Sequence, residues 1–116
     1  MTSQRDIRVL KKLVDESVQL TNLIKETEVD EFLQDERTKR AVCMTLINIG
    51  ELIKNLTDDL RQHNPQIPWK LIAGLRDVTA HKYQTLRMED IWVTATEDIP
   101  KFHSDLLEIL DKISTA

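Results

Sequence analysis

Between Arg76 and Tyr83 the chain sets an arginine, a histidine and a tyrosine, Arg76, His81 and Tyr83, within eight positions of a sequence that has only one tyrosine, two tryptophans and two phenylalanines. Histidine donates or accepts a proton near neutral pH, and arginine offers a permanent planar cation whose donors match phosphate oxygens. Together these groups suit phosphodiester cleavage. On a regular helix, however, Arg76 and His81 lie about 140° apart. Arg76 and Tyr83 share a face with Thr79 between them. A pocket that uses all three therefore has to form where the helix ends or where it meets another surface.

The elements that must position this stretch are helices. Only 2 glycines and 3 prolines occur in 116 residues, with abundant Leu, Ile, Glu and Lys, and little turn chemistry is left for sheets. The length predicts a single domain over residues 1–116 that needs no disulfide or metal staple. One cysteine, Cys43, excludes an internal disulfide, and His63, His81 and His103 lack the paired spacing that holds zinc. No metal and no cofactor are expected. The first residues have no apolar core of a signal peptide and no run approaches a membrane span, which predicts a cytoplasmic protein. Sixteen basic against twenty acidic residues give a formal charge of −4, against broad coating of nucleic acid by charge. A local basic patch from Arg76, Lys82 and Arg87, with Lys70 earlier, is compatible with that balance.

The apolar spacing predicts four main helices in an all-α, up-and-down bundle. The first runs from about Ser3, a candidate N-cap, to Glu26, with Ile7, Leu10, Val14, Val18 and Thr21 as one stripe and Val9, Leu13, Leu20 and Ile24 widening it. After a connector that ends in a candidate cap, Asp30, the second runs from about Glu31 to Gln62. Its seam is Val42, Leu46, Ile49, Ile53, Leu56 and Leu60, which suits packing within a bundle. Gly50 sits mid-helix at a cost of about 1 kcal/mol relative to alanine, which a close helix approach would offset. Glu51 beside it is either a solvated carboxylate, the simpler reading, or a polar group turned towards a site. The third helix, about Pro68 to His81, is anchored by Trp69 and turns Leu71, Ile72, Leu75 and Val78 inwards, leaving Arg76 on an outer flank. The last contains Met88 to Ile113 and is kinked or broken near Pro100, which removes the bond to the carbonyl of Thr96.

The order Arg, four residues, His, one residue, Tyr over residues 76–83 resembles the signature of HEPN-domain toxins of the HepT-like family. Ile49-Gly50-Glu51, Ile67-Pro68-Trp69, Gly74-Leu75-Arg76, Ile91-Trp92 and Glu97-Asp98-Ile99-Pro100 match that family in order and approximate spacing, so that the resemblance covers practically the whole chain. It implies a HEPN-like helical bundle that forms a homodimer with a composite cleft. It also implies a metal-independent endoribonuclease, the toxin of a toxin–antitoxin pair, whose partner is a minimal nucleotidyltransferase antitoxin. That partner would transfer AMP to the motif tyrosine, here Tyr83.

On this basis Arg76 and His81 are the expected catalytic pair acting on RNA. His81 is a general base on the ribose 2′-hydroxyl or a general acid on the leaving 5′-oxygen, and Arg76 stabilises phosphoryl charge. Asp77, Thr79 and Tyr83 are supporting residues, and Lys82 and Arg87 meet the RNA backbone. Asp77 departs from the polar residue common after the motif arginine. Its carboxylate would repel a phosphate, or else pair with Arg76 or orient His81. From residue types alone, Arg76 is more simply a surface ion-pairing residue, His81 a helix-terminal group and Tyr83 a packing residue. A non-catalytic module that dimerises and binds a nucleotidyltransferase, a nucleotide or RNA is the alternative.

Overall fold

The computed structural model describes residues 2–115 and, of these, every side chain except those of residues 78–81. Among the described residues all regular structure is helical. Helix α1 spans Gln4–Ile24, and Ser3 caps it by accepting from the Asp6 amide at 3.0 Å. The buried face is Asp6, Val9, Leu10, Leu13, Ser17, Leu20 and Ile24, whose apolar members are the widening set Val9, Leu13, Leu20 and Ile24 joined by Leu10 of the first stripe. Val18 and Thr21 face solvent instead, because Leu13, Leu20 and Ile24 bring more apolar bulk to one side. Ser17 tolerates full burial since its hydroxyl donates to the Leu13 carbonyl at 2.9 Å.

The expected long second helix is three helices, α2 (Val29–Gln34), α3 (Glu36–Lys54) and α4 (Asp58–His63). Polar side chains make both breaks. Asp35 is extended and caps α3 by accepting from the Thr38 amide, and Thr57 caps α4 by accepting from the Leu60 amide. Asp30 is not a cap. It lies in the first turn of α2, whose N-cap position is Glu28. The apolar seam survives the second break intact, with Val42, Leu46, Ile49, Ile53, Leu56 and Leu60 all buried. Each such side chain contributes on the order of 1.5–3 kcal/mol.

Pro68 stands at the N-cap of α5 (Trp69–Lys82). Trp69 is buried, meets Phe102 edge-on at 6.1 Å between ring centroids, and donates its indole N–H to the Asn64 carbonyl. Ile72 is buried, whereas Leu71, expected inside, is 68% exposed. A 3-10 turn, Tyr83–Thr85, leads to α6 (Met88–Val93), which passes through a π-helical turn at Thr94–Asp98 into α7 (Ile99–Thr115). The interruption expected near Pro100 thus takes the form of a widened turn. The Ile99 amide reaches back five residues to the Thr94 carbonyl just before the proline that can donate nothing.

The central helix is α3, flanked by α1 and α5, with α7 against α1. Phe32 of α2 docks on Trp92 of α6 at 5.1 Å between centroids. No helix of the described residues is long and apolar enough to cross a membrane.

Candidate active site

The Arg76 end of the site exists because α3 and α5 approach closely at Gly50. A Cβ added there would stand 2.6 Å from Arg76 Cβ and 2.9 Å from the Ala73 carbonyl oxygen, closer than side chains pack. Arg76 consequently faces α3 and is not on an outer flank as its helical position suggested. Its Nε donates to Glu51 of α3, and its Nη1 donates to Asp77 at 2.7 Å. The guanidinium is one-third exposed, at 33%, so it is both held and reachable. Glu51 is therefore an ion-pair partner across the helix junction. Of the alternatives open for Asp77, pairing with Arg76 is seen, and orienting His81 falls on a side chain outside the described residues.

The Tyr83 end is built from the opposite end of α3. Because Arg76 meets residues 50 and 51 while Tyr83 meets residues 36 and 40, α5 runs antiparallel to α3. The Tyr83 hydroxyl donates to Glu36 Oε1 at 2.9 Å, and the Arg40 guanidinium lies 4.8 Å from the ring centroid in a cation–π contact. Burial, then the bond to Glu36, pushes the phenol above its ordinary value near 10. The same bond, followed by the one from Lys39, holds the Glu36 carboxyl below its usual value. Glu36 in turn pairs with Lys39 at 3.2 Å and Arg40 at 3.0 Å. Beneath this cluster Cys43 is buried, and its thiol is pushed up to about 11 by loss of solvent and by the Glu36 charge. That thiol stays protonated at neutral pH.

Of the expected site residues, the structure brings Arg76 and Asp77 together and places Tyr83 just past the C-terminus of the same helix, at the start of the 3-10 turn. The side chains of His81 and Thr79 lie outside the described residues. Lys82 and Arg87 are exposed, the latter at the N-cap of α6. Sequence reasoning missed Glu36 and Arg40. Their signal was present as Glu36, Lys39 and Arg40 at i, i+3 and i+4, but such a pattern alone reads as a solvated helix face.

A central helix packed on a shorter one that carries Arg76-x4-His81-x-Tyr83 defines a HEPN-type bundle. The chain belongs to the HepT-like family, since the family model described as "Ribonuclease HepT-like" matches residues 5–109. It is 33% identical over 111 residues to "Putative RNase MJ0127" of Methanocaldococcus jannaschii, covering 95% of this chain and 92% of that one. With "Putative RNase TTE0752" of Caldanaerobacter subterraneus subsp. tengcongensis it shares 34% over 103 residues, 89% and 92% of the two chains. With "Probable ribonuclease HepT" of Thermococcus cleftensis it shares 39% over 71 residues, 61% and 64% of the two chains. No solved structure gives a significant match.

Proposed function

We propose that this protein is a metal-independent endoribonuclease and the toxin of a toxin–antitoxin pair, acting on RNA in the cytoplasm as a homodimer. The observation that carries the reading is the held but reachable guanidinium of Arg76, set within a family motif that also supplies His81. Arg76 stabilises charge that builds on the phosphoryl oxygens, work that a fixed cation does well in a cleft. His81 moves the proton of the ribose 2′-hydroxyl or that of the leaving 5′-oxygen, with its counterpart in the second protomer taking the other role. That division also answers the separation of Arg76 and His81 around one helix. Lys82 and Arg87 meet the RNA backbone, Asp77 and Thr79 tune the site, and DNA, which lacks the 2′-hydroxyl, is spared. A minimal nucleotidyltransferase antitoxin silences the site by transferring AMP to Tyr83.

One observation favours a second reading. Two carboxylates, Glu51 and Asp77, converge on Arg76 and offset the positive charge that a phosphate needs. In a module that binds its partner, a nucleotide or RNA without cleaving, the guanidinium would serve only as an anchor. The test is cleavage of a mixed cellular RNA and tRNA pool in EDTA by unmodified protein, whose intact mass shows no added AMP, beside His81→Ala. Cleavage by the wild type and its loss in the variant support the enzyme. No cleavage by a correctly dimeric wild type leaves the binding module.

A further inference from the structure

An arginine that must stabilise a transition state has a positioning problem. Its long stem has several torsions to freeze, and a cation misplaced by about 1 Å costs on the order of a hundredfold in rate. Asp77 cannot solve this alone, because it sits beside Arg76 on the same helix and moves with it. Glu51 comes from α3, and it meets Nε, the guanidinium nitrogen attached to the stem. A contact at Nε sets the plane of the group and registers it against the body of the bundle. Gly50, immediately before Glu51, is what lets the Arg76 backbone come near enough for that contact.

Folding does not account for the pair. The Glu51 side chain is 48% exposed and that of Arg76 33%, and exposed ion pairs of this kind stabilise little. Simple charge balance does not account for it either, since Asp77 already supplies one carboxylate and a second one weakens attraction for RNA.

We infer that Glu51 is a positioning residue, which acts through Arg76 Nε to fix the guanidinium in the orientation that meets the scissile phosphate. The consequence for cleavage rests on the ribonuclease reading, but the contact itself does not. Glu51→Ala is expected to lower kcat about tenfold to a hundredfold with much less change in KM. Glu51→Gln, whose amide oxygen still accepts from Nε, stays within about threefold of wild-type kcat. In an Arg76→Lys background, which has no Nε, Glu51→Ala adds nothing.

The orientation is read independently by nitrogen-resolved NMR of the Arg76 side chain. Its Nε–H exchanges slowly with water in the wild type and in Glu51→Gln, and rapidly in Glu51→Ala. Thermal melting of each variant separates loss of orientation from loss of fold. Wild-type kcat in a folded Glu51→Ala overturns the inference, as does an equal fall of kcat in Glu51→Gln, which would make Glu51 a charge and not a positioning group. Rapid Nε–H exchange already in the wild type overturns it without any cleavage assay. A slow Nε–H with no cleavage by the wild type overturns the ribonuclease reading and the catalytic consequence, while the contact stands.

Discussion

Asp6 and Glu51 each carry a carboxylate from one helix to another element, and the two regions use it in opposite ways. Asp6 is 3% exposed and accepts from the Thr57 amide at 3.0 Å and the Thr57 hydroxyl at 2.6 Å, tying the start of α1 to the start of α4. Both donors are neutral groups of one residue, Thr57, and the carboxylate lies at two helix N-termini, where the dipoles favour it. Both bonds hold the fold together. Glu51 is half exposed, and it holds a permanent cation at a junction that a glycine allows to close. The difference teaches that a buried carboxylate satisfied by amide and hydroxyl is architecture, whereas a reachable one that orients an arginine belongs to a site.

The largest effect that would break this contrast concerns Arg76. In Arg76→Ala, RNA cleavage is expected to fall by about 10²–10³ in kcat, the magnitude for loss of one transition-state donor. Its melting temperature should barely move, since the lost ion pairs are partly exposed. A kinetic assay beside a thermal melt reads both, and a large drop in stability with cleavage per folded molecule intact would make Arg76 architectural too. Asp6→Ala should do the reverse. It removes a charged acceptor from a buried amide and a buried hydroxyl, and denaturant unfolding should show a loss of about 3 kcal/mol. Cleavage per folded molecule should be unchanged.

The sequence made the packing legible more than the polarity. The seam from Val42 to Leu60 lies buried throughout, because apolar periodicity answers directly to the core. The breaks at Asp35 and Thr57 were less legible, since a cap competes with helix continuation through a hydrogen bond that periodicity does not register. Leu71 shows the limit from the other side, as its type predicts burial while its place on α5 leaves it outside. At the site, Arg76 and Tyr83 were legible as types. Glu51 was legible only as a carboxylate that is either solvated or turned towards a site, and Glu36 and Arg40 were not legible, because each partner lies on α3, more than twenty residues away, and contacts between helices leave no spacing to read.

The two glycines sharpen the comparison at about 1 kcal/mol. Both lie in helices with ordinary backbone angles, so each costs about that much relative to alanine. At Gly50 the gain from alanine is outweighed by overpacking, on the order of 1–3 kcal/mol, because Arg76 Cβ and the Ala73 carbonyl cannot swing aside. Gly50→Ala is therefore expected to lose about 1 kcal/mol in denaturant unfolding and to cut cleavage about tenfold as α5 shifts. At Gly74 a Cβ meets nothing within 4 Å. Gly74→Ala should gain about 1 kcal/mol, and a simultaneous loss of cleavage would show that the space beside it serves something outside the chain.

The smallest effect tests whether the Tyr83 end behaves as architecture or as site. Tyr83 ionises above its ordinary value near 10, so the folded state favours the protonated phenol. Its contribution to stability is in place below pH 10 and is lost as pH rises through the raised pKa. Glu36 is shifted the other way, so its contribution is in place above its usual value of 4.5 and is lost as pH falls through the lowered pKa. The tether is thus whole between about pH 4.5 and 10. Because the chain has one tyrosine, its tyrosinate absorbance reports Tyr83 alone. Glu36→Gln should bring the midpoint part of the way down, since burial, the larger cause, remains, and Arg40→Ala should push it further up, since that cation favours the phenolate. A wild-type midpoint at the ordinary value would mean that the tether does not form in solution. An AMP ester on the phenol leaves no proton to titrate, so loss of the transition altogether reads the modification, and the same ester removes the donor that Glu36 accepts.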